Sequence, residues 1–146
     1  MTVSTNTFLQ DMILFLRDDL RDNITDPMVS SRAKQLFVMT SYPKRQPIQY
    51  PLITVKANNL TTTKLGIASE VNKADVEVEV RVWARNVKEK DDLTQDVINR
   101  LRDNHLGTGS TSAYEIFGFK LSSANNVDEE DIKSKVMTFN YSVIIG

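Results

Sequence analysis

The clearest pattern in the chain is a strict alternation of apolar and polar positions between residues 74 and 85. The apolar positions carry Val76, Val78, Val80, Val82 and Ala84. The positions between and beside them carry Asp75, Glu77, Glu79, Arg81, Trp83 and Arg85. Successive side chains of a strand point to opposite faces, so this period of two predicts one long antiparallel strand. Its apolar face is expected to lie on a core, and its charged face to meet water or a partner.

Two stretches carry apolar residues at helical spacing and are expected to form amphipathic helices. The first begins near Thr7, which matches a capping box with Gln10, and ends around Asn23, ahead of Pro27. The second begins in the acidic stretch 88–92 and ends at 104–107. Their apolar stripes are Leu9, Met12, Ile13, Leu16 and Leu20, then Leu93, Val97, Ile98 and Leu101. Helices with one apolar stripe typically cover one face of a sheet.

The remaining apolar runs predict shorter or terminal strands. They are residues 35–39, 52–56, 114–121 and 135–145, with Phe117, Phe119 and Leu121 on one face of the third. Between them lie a proline-rich loop or edge at 41–51, a loop or hairpin arm at 58–66 and a polar connection at 122–131. The order predicts an α+β fold, a mostly antiparallel sheet of four to five strands with two helices packed on one face. We expect one domain over residues 1–146.

Composition limits the classes of function. The chain has 146 residues, 18 basic and 19 acidic, and a formal net charge of −1, so it has no global attraction for nucleic acid or anionic membrane. It contains no cysteine, which rules out disulfides and thiolate chemistry. No secretory signal is evident, and no apolar stretch reaches the roughly 20 residues needed to span a bilayer. We expect a soluble, intracellular protein.

Candidate catalytic and metal-binding residues are few. The single histidine, His105, is expected at the end of the second helix, where a cation interacts favourably with the helix dipole. The acidic run from Asp128 to Asp131 is more typical of a solvated loop than of a cation site. Lys44 and Arg45 could touch phosphate, but too few basic residues cluster for nucleic-acid binding. We therefore expect no enzymatic activity, no cofactor and no metal.

The order of elements resembles a known family. A leading helix is followed by Tyr50-Pro-Leu-Ile-Thr-Val55, a long alternating strand ending in Trp83-Ala84-Arg85, an amphipathic helix and two terminal strands. This arrangement resembles the tail terminator, or tail completion, proteins of long-tailed bacteriophages over nearly the whole chain. The resemblance implies a virion structural protein, a six-membered ring at the head-proximal end of the tail tube. Such a ring stops tube polymerisation and offers its other face to the head.

The resemblance also implies partners: further copies of this chain, the tail tube protein and a head connector or stopper protein. Genomic DNA passes only transiently, and no membrane is involved. The protein is then expected in the virion tail, and in the host cytoplasm during assembly. An alternating charged strand face suits side-by-side packing of subunits. The expected interface residues are Glu77, Glu79, Arg81, Trp83, Arg85, Lys44 and Arg45. The expected lumen-facing acidic loop is Asp128, Glu129, Glu130 and Asp131.

Two other classes of protein fit the same sequence. One is a head-side connector, a stopper or adaptor that assembles on the portal instead of the tube. The other is a small enzyme or nucleic-acid-binding domain of the α+β class, which a phosphate or metal site would favour.

Overall fold

The computed structural model describes residues 8–28, 33–41, 49–64, 72–103, 116–127 and 132–145. Two helices, α1 and α2, and five strands, β1 to β5, occur in this part of the chain. Their bounds are α1 Phe8–Asn23, β1 Val38–Met39, β2 Leu52–Lys64, β3 Asn72–Ala84, α2 Val87–Asp103, β4 Ile116–Asn126 and β5 Lys133–Ile145. A single 3-10 turn, Lys34–Leu36, precedes β1.

The five strands form one sheet in the order β1-β2-β3-β5-β4. The short β1 runs parallel to β2, and the three other pairings are antiparallel. Strand β3 lies at the centre and pairs with β2 on one side and β5 on the other along its whole length. The expected α+β class, with a mostly antiparallel sheet, is confirmed.

The alternation in β3 separates a buried face from a polar one, as expected from the sequence. Val76, Val78, Val80 and Val82 are at most 1% exposed, whereas the polar residues between them are half-buried or exposed. Strands β2 and β5 add Val55 and Phe139 to the same buried face through their register with β3. Burying each such side chain contributes about 1.5–3 kcal/mol.

Both helices cover this buried face. Their stripes join the strands in one hydrophobic cluster: Met12, Leu16 and Leu20 from α1, then Leu93, Val97 and Leu101 from α2. A bidentate ion pair joins the two helices, in which the Arg100 guanidinium donates to the two carboxylate oxygens of Asp19 at 2.6 and 2.9 Å. The opposite side of the sheet is covered by neither helix.

A cap fixes the start of α2 directly after β3. The backbone N–H of Glu89 donates to Oδ1 of Asn86 at 2.9 Å, and the Glu89 carboxylate accepts from the backbone N–H of Arg85 at 3.1 Å. The first contact satisfies one of the donors that a helix N-terminus leaves without partners, and the second ties the helix to the residue before its cap. The helix therefore begins at Val87, one residue before the expected start.

Several strand boundaries differ from the sequence-based expectations, including the start of β5 at Lys133 and of β3 at Asn72. Residues 58–64 continue β2 as the arm of a hairpin with β3, and residues 122–126 continue β4. Residues 34–36 form the 3-10 turn, so β1 is shorter than expected. In β4 the register shifts twice, and Phe117 lies opposite Ser142 whereas Leu121 lies opposite Phe139. The side chains of residues 117 and 119 lie outside the described ones, so the expected single face through 117, 119 and 121 stays a prediction.

No helix in the described ranges is long and apolar enough to cross a membrane.

Candidate interface on the open sheet face

The side of the sheet opposite the helices, called here the open face, carries polar and charged side chains from neighbouring strands. Register with β3 places them together: Thr54, Lys56, Asp75, Glu77, Glu79, Arg81, Trp83, Val136, Thr138, Asn140 and Ser142. These side chains are half-buried or exposed, whereas Leu52 and Ser134, the partners of Trp83 on β2 and β5, are buried. Both described helices pack on the other side, so within the described residues no helix covers this face, and it is the candidate interface.

Arg81 and Trp83 form a fixed unit on the open face, called here the Arg81–Trp83 platform. The Arg81 guanidinium carbon lies 3.7 Å from the centroid of the Trp83 ring, a stacked cation–π contact. Arg81 Nη2 donates to Ser134 Oγ at 3.0 Å, and Trp83 Nε1 donates to Thr54 Oγ1 at 3.3 Å. The platform is therefore held from both neighbouring strands.

Ser134 is itself immobilised, which fixes the guanidinium further. The residue is only 1% exposed, and its hydroxyl donates to the backbone carbonyl of Val127 at the end of β4. Its oxygen is then left to accept the hydrogen bond from Arg81. The Ser134 hydroxyl carries no negative charge, so this hydrogen bond does not neutralise the guanidinium of Arg81.

That positive charge has no carboxylate partner within the described part of the chain. No ion pair joins Arg81 to any described acidic residue, and its Nε is buried without a hydrogen-bond acceptor. Two lysines of this face are paired, Lys56 with Glu79 at 3.3 Å and Lys73 with Asp75 at 3.6 Å. Lys120, opposite Asn140 on β5, has no ion pair within the described residues, and Arg81 is like it in this respect.

Asp75 is held in its ionised form by a bond between strands. Ser142 Oγ donates to Asp75 Oδ1 at 2.5 Å, and this hydrogen bond lowers the pKa of the Asp75 carboxyl, with Lys73 adding to the effect. The two residues lie directly opposite each other on β3 and β5. At the hairpin end of β3 the charges are thus neutralised within the chain.

Arg85 lies beyond the end of β3, and its guanidinium turns to α2 instead of joining Arg81. Its Nε and Nη2 donate to the Glu89 carboxylate at 3.1 and 2.5 Å, and this pairing raises the pKa of Arg85. Of the expected interface residues, the structure therefore gathers Glu77, Glu79, Arg81 and Trp83 on one face. Lys44, Arg45, Asp128, Glu129, Glu130, Asp131 and His105 lie outside the described residues.

A second surface feature was not expected from the sequence. A cleft of about 360 Å³ opens on the helix side, between the end of α1 and the first half of α2. Its lining is Thr25, Pro27, Asn86, Lys88, Glu89, Asp92, Leu93 and Asp96. We call it the acidic cleft, after its three carboxylates. The only sequence signal for it is the spacing of Asp92 and Asp96, one helical turn apart on a polar face.

The carboxylates of the acidic cleft differ in their partners. Glu89 binds Arg85, and Asp92 binds Lys88 at 2.7 Å. No ion pair within the described residues involves Asp96. Among the same residues, no three side chains of the metal-binding types converge to hold a metal ion.

No protein-family model and no curated protein matches the chain. Among solved structures, it is similar to a chain of the "Virion of native gene transfer agent (GTA) particle". The TM-score is 0.52 at 14% sequence identity, and the alignment covers 88% of this chain and 91% of that chain. At this identity the likeness concerns the fold, which the two chains share over nearly their whole length.

Proposed function

We propose that this protein is a virion structural protein, the tail terminator of a long-tailed phage or phage-like particle. The observation that carries the proposal is the fold shared with a chain of a gene transfer agent virion over 88% of this chain. The order of elements that resembles tail terminators agrees with it. In this role residues 1–146 form one domain, which is a structural component of the virion and not an enzyme.

The two sides of the sheet differ, as the two contact surfaces of a subunit in a ring must. A closed ring is built from a heterologous interface, in which one surface of each subunit meets a different surface of the next. The open face is one such surface, and we propose that Glu77, Glu79, Arg81 and Trp83 contact a neighbouring subunit there. Six subunits at the head-proximal end of the tail tube form the ring.

A seated ring stops tube growth because it covers the end to which further tube protein would add. Its opposite side then presents a new surface to the head connector or stopper protein, and genomic DNA passes through the central opening. The expected location is the virion tail at its head-proximal end.

Tube capping tests the role directly. Tail tube protein from the same particle is polymerised with and without this protein, and tube lengths are measured in negative-stain images. We expect shorter tubes that carry a ring at one end and do not lengthen when fresh tube protein is added. Tubes of unchanged length, with no ring at either end, would contradict the proposal.

Labelling of intact particles separates the terminator from a head-side connector. Gold-labelled antibody against this protein is expected on isolated tails and absent from tail-less heads. The reverse distribution would assign the protein to the portal side of the joint.

A further inference from the structure

We infer that the Arg81–Trp83 platform of one copy docks against the acidic cleft of a second copy. This inference rests on the proposed ring, and it names the two surfaces that meet in it. The contact brings the Arg81 guanidinium to the carboxylate of Asp96, the carboxylate of the cleft that has no ion pair within the described residues, whereas Glu89 and Asp92 are already paired with Arg85 and Lys88. The two surfaces differ, so the contact is heterologous and can repeat around a ring.

The platform calls for an anionic partner. Arg81 is stacked on Trp83 and bound to the neutral Ser134 hydroxyl, and no carboxylate of the described chain pairs with it. A guanidinium is weakly hydrated and presents planar donors, so it is well suited to ion pairs at interfaces. Tryptophan and arginine are also the residues most enriched where truncation weakens a protein interface strongly.

Charge around the platform favours a protein carboxylate over a nucleic-acid phosphate. The same face of β3 carries Asp75, Glu77 and Glu79, and the chain has a net charge of −1. Binding to the DNA backbone needs several cations that contact phosphates together. Asp75 and Glu79 already occupy Lys73 and Lys56. Too few cations of this face remain for an extended polyanion, but the Arg81 guanidinium can still pair with a single side-chain carboxylate.

The acidic cleft carries a carboxylate that can pair with Arg81, and it lies at the same end of the sheet as the platform. Asp96 has no ion-pair partner in the described residues, as Arg81 has none. Both features lie at the end of the molecule where β3 leads into α2, since Arg81 and Trp83 are within the last four residues of β3 and the cleft uses the first half of α2. They lie on opposite sides of the sheet, so one copy can present its platform while the next presents its cleft.

The area of the open face is sufficient for a specific contact. Its four long strands have 11 to 13 residues each. With strands about 4.8 Å apart and about 3.4 Å per residue, this gives a surface of roughly 800 Å². A standard interface buries about the same area on each partner. The half of the face near the β2–β3 hairpin, where Lys73 and Asp75 are already paired, then forms the polar rim of the interface.

A charge-swap cycle tests the contact. Arg81→Glu and Asp96→Arg are each expected to weaken self-association at least about tenfold, and the double variant to recover most of that loss. Light scattering and sedimentation velocity measure the association. Lys73→Glu makes the same charge change on the same strand, about 27 Å from Arg81 at strand spacing, and is expected to have a much smaller effect. Single variants that associate like wild type, or a double variant without recovery, overturn the inference.

Cross-linking tests the contact with the platform intact, in case Arg81→Glu disturbs folding. The chain has no cysteine, so introduced cysteines react alone. Val136→Cys lies opposite Arg81 on the open face, and Asp92→Cys lies in the cleft. A mixture of the two single variants, treated with a short bismaleimide, is expected to give heterodimers. The double variant is expected to give a ladder ending at the ring.

The outcomes separate this inference from the proposed function. Cross-links only between two Val136→Cys chains indicate a face-to-face dimer. A chain that stays monomeric at the highest attainable concentration, and gives no cross-link, does not self-associate. Either result overturns the docking of platform and cleft. If the tubes are still capped when the docking fails, the terminator role remains supported. If the cross-links form as expected but the tubes are not capped, the terminator role is contradicted and the docking is not.

Discussion

Asp75 and Ser142 show how one pair of residues reports the register of the sheet. The hydrogen bond from Ser142 is the main cause of the lowered pKa of Asp75. A carboxyl with a lowered pKa stabilises the fold above its ordinary pKa, about 4, and that stabilisation is lost as the pH falls. Ser142→Ala is therefore expected to raise the pKa of Asp75, measured by NMR titration. Thr138→Ala, on the same strand and face but opposite Glu79, is the control, and an unchanged Asp75 pKa in Ser142→Ala would indicate a different register.

Tyr141 links the buried face to alkaline stability. It is 2% exposed, and burial raises the pKa of its phenol. Above about pH 10 an unfolded tyrosine loses its proton whereas the folded one keeps it, so stability falls as the pH rises through this range. Tyr141→Phe removes the contribution, and its free energy of unfolding is expected to fall less steeply above about pH 10. Urea titrations at neutral pH provide the baseline for both proteins, and equal slopes above pH 10 would contradict the assignment.

At the scale of elements, the cap of α2 holds the junction between β3 and the helix that lines the acidic cleft. Asn86→Ala removes the acceptor for the Glu89 N–H and is expected to lower the free energy of unfolding by about 1 kcal/mol. Asn86→Asp keeps an acceptor at the same place and is expected to unfold close to wild type. Urea unfolding followed by circular dichroism measures both. A cost in Asn86→Asp equal to that in Asn86→Ala would mean that the side-chain acceptor is not what stabilises the helix start.

Elements that depend on local pattern could be predicted from the sequence, and those that depend on strand alignment could not. The alternation in β3 and the stripes of α1 and α2 are contained in contiguous residues, so the sheet, its buried face and its helix cover follow. The bulges in β2 and β4 arise from how neighbouring strands line up, and no local pattern records them. The same limit applies to Arg85, whose face depended on whether β3 continued past Ala84 or α2 began.

The candidate site combines both cases. Its polar face follows from the alternation, but the platform needs Ser134, 53 residues from Arg81, and Thr54, 29 residues from Trp83. The acidic cleft joins residues after α1 to the first half of α2. Contacts across such distances are set by the register of the whole sheet, so the sequence indicates which residues are available but not which of them meet.

At the scale of the whole molecule, the two sides of the sheet have different tasks. The helices cover the apolar side, and the polar side carries the Arg81 guanidinium, which has no ion-pair partner within the described residues. In the proposed ring, each subunit uses one side against the opposite side of the next, a heterologous contact, whereas a symmetric dimer would bring the same patch of both chains together.

The single tryptophan makes assembly through the open face measurable without a label. Trp83 is half-buried in the isolated chain. If a neighbour covers the face, water leaves the indole, so emission is expected to shift to shorter wavelength and acrylamide quenching to fall as concentration rises. Arg81→Glu is expected to show neither change over the same range. Assembly seen by light scattering while Trp83 stays equally quenchable would mean that the open face remains free in the assembled particle. The interface would then have to lie at the sheet edges or on the helix side, and the open face would be left for another partner.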